Sequence, residues 1–268
     1  MKALFMTGGA RGIGFAIAER FYREGWAVTL TDVNEEQLAE AVAKLGNANS
    51  NDKRVMSLKL DVTDYDAFHE AIAEHQRQWG RLDLLVNNAG LGVIARFEKN
   101  SPADHARMIQ VNYTGVVNGV HAGFDALKET AAREGEAQIM NLCSASSCHG
   151  IPEHAVYGGT KAAVKNFTEA LDLEFKEYGI KVRDILPEYV ATPMVMDIED
   201  APGAVDALGV NLVAEDVGET AWKAYTRGGI HFPVTNKFAV LMKVIAIFPG
   251  FARKVFGGAF YKKYPAGN

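Results

Sequence analysis

Short apolar runs alternate along this chain with longer stretches in which apolar residues recur every three or four positions. Leu4 to Met6 is a run of the first kind. Gly12 to Gly25 is one of the second, with Ile13, Ile17 and Phe21 on one face. Brief runs that are apolar on both sides read as buried strands, and the 3.6-residue recurrence reads as amphipathic helix. On that basis Ala27–Thr31, Val55–Leu60, Leu82–Val86, Gln138–Leu142 and Ile180–Leu186 are further strands. Helices are expected at Glu35–Leu45 and near 64–79, 103–131 and 155–178. A last helix near 215–227 precedes a strand at His231–Val234. Strands apolar on both faces, alternating with helices, predict an α/β fold with a parallel sheet covered on both sides. The expectation is one Rossmann-type, doubly wound domain over 1–235, with about seven mostly parallel strands. No repeat or linker divides it.

Two segments break the alternation. Thr192 to Glu215 is too long for an ordinary connection. It is rich in small apolar residues: Val195, Ala201, Ala204, Val205, Ala207, Leu208, Val210, Leu212 and Val213. It reads as either a lid or a poorly ordered loop, and its apolar residues suggest a hydrophobic alcohol or ketone or mere packing on the domain. Residues 236–268 form a hydrophobic, helical and basic extension. Phe238 to Ala252 is apolar except for Lys243, with Pro249 breaking it, and Phe248, Phe251, Val255, Phe256 and Phe260 continue an aromatic face. That run is shorter than the ~20 residues a bilayer span requires. The extension therefore suits a lid, a subunit contact or a peripheral membrane contact through 236–263.

Composition narrows the function. The 268 residues are 48% hydrophobic with a net charge of −5. A mildly acidic chain is a poor partner for nucleic acid, which demands a basic field. Charge is also unevenly placed: eight of the 28 basic residues follow Glu219, and no acidic residue does. Cys143 and Cys148 read as reduced thiols of a cytoplasmic protein. The N-terminus lacks the apolar length of a secretory leader, and no Cys/His cluster has zinc spacing.

The chemistry concentrates at three places. Thr7-Gly8-Gly9-Ala10-Arg11-Gly12-Ile13-Gly14 follows the first strand and opens the first helix. Glycines there let the backbone approach a pyrophosphate, and the helix N-terminus offers unpaired N–H groups and a favourable dipole. Asp32, twenty residues after Gly12, ends the second strand. A carboxylate at that point accepts hydrogen bonds from ribose hydroxyls and repels a 2′-phosphate, so NAD is favoured over NADP. Arg11 cuts the other way, as a guanidinium able to meet a phosphate. The third place is Tyr157-Gly158-Gly159-Thr160-Lys161, with Ser144 thirteen residues upstream. In a helix, positions 157 and 161 lie one turn apart on one face. A phenol has an ordinary pKa of about 10, and a nearby ammonium favours its phenolate.

These residues resemble the short-chain dehydrogenase/reductase family, over Thr7 to about Val234. Asp61-Val62 resembles the family's adenine-pocket pair, and Asn87-Asn88-Ala89-Gly90 its motif after the fourth strand. Asn112 falls at the relay-asparagine position. Ser144, Tyr157 and Lys161 match the catalytic trio, and Pro187 to Met194, with Val190 and Thr192, its Pro-Gly-x-Val-x-Thr segment. The resemblance implies hydride transfer between nicotinamide and a carbinol or carbonyl carbon. Tyr157 would be general acid/base, and Lys161 would hold the ribose and depress the phenol. Ser144 would bind the substrate oxygen, and Asn112 a water linking Lys161 to solvent. The implied protein is a homo-oligomeric alcohol dehydrogenase or ketoreductase for a small apolar alcohol or ketone. Two other readings share the fold: a non-catalytic nicotinamide sensor or scaffold, and a ketoreductase for carrier-bound acyl chains. Two features depart from the family. Glu188 stands where Gly is usual, and the C-terminus reads as lacking the usual short closing strand and tail. His149, His154, Cys148 and Glu188 are further candidates for the pocket wall.

Overall fold

The computed structural model describes residues 1–46, 53–196, 209–250 and 253–254. The elements follow one another as β1 (Ala3–Thr7), α1 (Gly12–Arg23), β2 (Ala27–Asp32), α2 (Glu35–Gly46), β3 (Val55–Lys59), α3 (Tyr65–Trp79) and β4 (Leu84–Asn87). Then come α4 (Pro102–Ile109), α5 (Gly115–Glu134), β5 (Ala137–Leu142), α6 (Ala155–Glu174), β6 (Ile180–Leu186) and α7 (Pro193–Met196). The described chain closes with α8 (Ala214–Thr226), β7 (His231–Pro233) and α9 (Asn236–Ile247). The strands form one sheet in the order β3-β2-β1-β4-β5-β6-β7, and every pairing is parallel.

Strand alternation divides the core between the two faces of the sheet. Leu4 and Met6 of β1, Leu84 and Val86 of β4, and Met140 of β5 pack with Ile17 and Phe21 of α1, Leu38 of α2 and Val217 of α8. The intervening residues Phe5, Leu85 and Ile139 pack against Phe68 of α3, Leu127 of α5 and Leu171 of α6. Both faces are therefore buried, which is why the strands read as unbroken apolar runs.

Two expectations change. The strand expected at His231–Val234 forms as His231–Pro233 and pairs in parallel with β6, so the sheet does have a short closing strand, and the expected lack of one is corrected. The single helix expected near 103–131 is interrupted by a π turn at Gln110–Thr114 between α4 and α5. Ser101 and Asp104 form a capping box at its start, and Gly135, left-handed at φ 91°, ends it. The π turn carries Asn112, and inserting one extra residue per turn there re-aims a side chain that period-counting cannot place. The apolar residues Ala201, Ala204, Val205, Ala207 and Leu208 of the loop lie outside the described residues, as do Phe251, Val255, Phe256 and Phe260 of the tail.

Candidate active site

The order of strands reverses between β1 and β4, and their carboxyl ends open a crevice there, the usual ligand position in an open parallel sheet. A cleft of about 1210 Å³ occupies it. Its floor is the turn between β1 and α1. Gly8 and Gly12 adopt φ of 62° and 57°, which side-chain-bearing residues rarely accept. A Cβ on Gly14 would lie 2.1 Å from the Gly8 carbonyl oxygen and 2.5 Å from Asn88 Nδ2. Only glycine fits that close approach of helix to turn.

The turn is fastened from β4. Asn88 Nδ2 donates to the carbonyls of Thr7 and Gly8, each at 2.9 Å. Thr7 Oγ1 accepts the N–H groups of Asn88 and Ala89 and donates to the Val86 carbonyl. The family-like Asn88-Ala89 segment thus holds the glycine turn in shape. The N-terminus of α1 carries no acidic residue in its first turn and no side-chain cap from Arg11. Its dipole is not neutralised by the chain itself and faces the cleft.

The far ends of the cleft differ in character. At one end Asp32 lines the wall, its carboxylate accepting from the main-chain N–H groups of Ala10 and Asn34. Asp61 lies beside it, tied into a local turn through Thr63, and Val62 packs on Gly115 at the start of α5. At the other end β5 delivers Ser144 and α6 delivers Tyr157 and Lys161. Ser144 Oγ accepts from the Ser146 N–H and hydroxyl and also bonds the Tyr157 side chain. Lys161, 4% exposed, donates from Nζ to the Leu142 carbonyl at 2.8 Å. Burial pushes its pKa down.

The phenol departs from expectation. Tyr157 keeps part of its ring on the cleft, but burial of the hydroxyl pushes its pKa up to about 12, with the Ser144 bond opposing. The Lys161 ammonium sits 5.8 Å from the ring centroid and spends a proton on Leu142. The chain's own atoms leave the phenol raised, not depressed.

Asn112 is completely buried and is not on the cleft wall. Its amide both accepts from the Leu91 N–H and donates to the Leu91 carbonyl, at 2.7 and 2.8 Å. It also donates to Thr160 Oγ1, which in turn donates to the Tyr157 carbonyl. In this arrangement Asn112 braces the loop after β4 against the helix that carries Tyr157 and Lys161.

All the other predicted cofactor residues, from Gly8, Arg11, Ile13 and Gly14 through Asn88, Ala89 and Gly90 to Pro187, Val190 and Thr192, reach the same wall. His149, His154 and Glu188 do as well, whereas Cys148 does not and packs, with Leu241 and Met242, against the cluster of Cys143, Leu186 and Phe238; Cys143 itself lines the cleft. From the loop, Val195 and Leu212 line the cleft, but Val213 is 50% exposed at the start of α8 and turns away from it.

Two wall residues escape a sequence reading. Tyr189 shares a 2.9 Å hydrogen bond with Nε2 of the buried His154, whose Nδ1 bonds the Pro152 carbonyl. Thr235 donates to Glu188 Oε1 at 2.5 Å and caps α9 through the Phe238 N–H. A Thr just before an apolar run is a helix-start signal, but nothing in the sequence joins it to Glu188.

Comparison with known proteins agrees with this geometry. A family model described as short chain dehydrogenase matches residues 2–203. A 2,5-dichloro-2,5-cyclohexadiene-1,4-diol dehydrogenase of Sphingobium indicum is 34% identical, covering 74% of this chain and 76% of its own. A cyclopentanol dehydrogenase of Comamonas testosteroni is 33% identical, covering 77% and 80%. Among solved structures, a short chain dehydrogenase/reductase of Burkholderia phymatum in complex with NAD superposes with a TM-score of 0.82 at 22% identity, over 94% of this chain and 95% of that one. With the family model spanning residues 2–203, most of the sheet included, the chain belongs to the short-chain dehydrogenase family.

Proposed function

We propose that the protein is an NAD(H)-dependent dehydrogenase that interconverts a hydrophobic secondary alcohol and its ketone. The observation that carries this is the meeting of Ser144, Tyr157 and Lys161 with the glycine turn in one cleft. The turn fits a dinucleotide: a Cβ would fill the Gly8–Gly14 approach, and the α1 dipole is left for an anion. When bound, the cofactor supplies the two-electron acceptor for the carbinol carbon. Gly12, Ile13 and Gly14 would hold the pyrophosphate and Asp32 the adenosine ribose; Asp32 favours NAD by repelling a 2′-phosphate. The dehydrogenases of cyclic alcohols among the relatives support the substrate class.

Tyr157 manages the proton at its hydroxyl, and Ser144 holds the substrate oxygen beside it. A phenol at about 12 is protonated at neutral pH. Burial holds the phenol protonated even with Lys161 in place, so positive charge entering the cleft with the cofactor would favour the phenolate that a general base requires. Tyr157→Phe should abolish NAD+ reduction with apolar secondary alcohols while leaving NADH binding nearly intact; retained turnover sinks the assignment. The same substrates run with NADP+ test Asp32, and a strong NADP+ preference overturns that part. Asp32→Ser should move the preference toward NADP+ by removing the repelling charge.

A further inference from the structure

We infer that the outer face of α9 is a docking surface for an anionic lipid membrane. The inner face of this helix is accounted for: Phe238 and Ile245 are buried, and with Leu241 they form part of the cleft wall. Among the described residues the opposite face is exposed. Val240 and Ile247 are 63% and 69% exposed, and Phe248 at the helix end is 61% exposed. Lys243 lies between them, one turn from each, and is exposed too. Residues 240, 243 and 247 fall on one stripe at helical spacing. A helix with two apolar faces, one of them facing water, has an unfilled partner.

Charge selects the partner. Lys237 lines the cleft, so Lys243 is the one charged residue of α9 on this stripe, and the chain carries no acidic residue after Glu219. A symmetric contact between two copies through this stripe would set the two Lys243 side chains against each other with nothing acidic on the element to offset them. A phosphate-bearing surface removes the conflict. Val240, Ile247 and Phe248 enter the boundary between headgroups and acyl chains, while Lys243 extends its charge to the phosphates. The geometry is that of a helix lying on the membrane: at 12 residues α9 is about 18 Å long. Among the described residues no helix is long and apolar enough to cross a bilayer. The inference is independent of the reaction assigned above.

Co-sedimentation of the full chain with vesicles of phosphatidylcholine and phosphatidylserine, against pure phosphatidylcholine, tests it. Binding is expected on the anionic vesicles, weakening as salt is raised. Lys243→Gln should weaken it about fivefold, the worth of one basic residue near such a surface. Val240→Glu and Ile247→Glu should abolish it. Both replace exposed residues, so their melting curves should match that of the parent. Absence of binding to anionic vesicles overturns the inference. So does sedimentation equilibrium that shows a dimer which Val240→Glu dissociates, because the occupant is then a second copy of the chain.

Discussion

Gly14→Ala is the sharpest perturbation of the cofactor floor. The added methyl would sit 2.1 Å from the Gly8 carbonyl oxygen, 2.5 Å from Asn88 Nδ2 and 2.9 Å from the Gly8 carbonyl carbon. Ordinary carbon contacts lie near 3.5–4.0 Å, so the first must open by more than 1 Å. Two of the three obstacles are backbone atoms, and the third is an amide fixed by two hydrogen bonds. Nothing flexible can yield. Overpacking of this kind costs about 1–3 kcal/mol. Losing either Asn88 bond adds about 1 kcal/mol. The total, about 2–4 kcal/mol, should lower Tm by roughly 4–16 °C in a protein of this size. Gly159→Ala is the control: it lies in α6 with no atom within 4 Å of the new methyl. It should hold or slightly raise Tm, since Ala is the better helix former. Differential scanning calorimetry reads both, and titration calorimetry with NAD+ reads the turn. Because the floor itself moves, Gly14→Ala should bind NAD+ at least tenfold more weakly. A Gly14→Ala protein that melts within a degree of the parent and binds NAD+ normally would refute the reasoning.

Two further perturbations follow from buried groups. His75 is fully buried, bonded at Nδ1 to the Thr29 hydroxyl and at Nε2 to the Arg81 carbonyl, and burial pushes its pKa down to about 4. A depressed pKa means stability that is present above the unfolded value of about 6.5 and is lost as pH falls toward 4. The loss is roughly 3 kcal/mol, and urea titrations across that range should show it shrink in His75→Gln relative to the variant's own neutral-pH value. Thr235→Ala removes both the cap on Phe238 and the donor to Glu188 Oε1. It should cost about 1–2 kcal/mol and speed amide exchange along α9; unchanged exchange there would show that the cap does not hold the helix.

Period and composition were enough to read the sheet and its helices, because the inner strands are buried on both faces and most helices carry an apolar stripe at helical spacing. The glycine turn and the Tyr157–Lys161 pair were legible because their spacing is set by one turn or one helical step; Asp32 was legible from its place at the end of the second strand, and Ser144 through the family resemblance. The π turn was not legible, since a single inserted residue leaves the apolar period almost unchanged while it turns Asn112 inward to Leu91 and Thr160. The contacts across distant segments were equally hidden. Thr235 meets Glu188, and Tyr189 meets His154, across 47 and 35 residues of chain.

The tertiary structure alone decided the state of the phenol. From the sequence, a lysine one turn from Tyr157 promises a lowered pKa. In the fold, burial raises Tyr157 to about 12 while Lys161 is held to the Leu142 carbonyl. Charge proximity follows from helical spacing, which a sequence contains. Desolvation depends on everything packed around the hydroxyl, which only the assembled cleft determines.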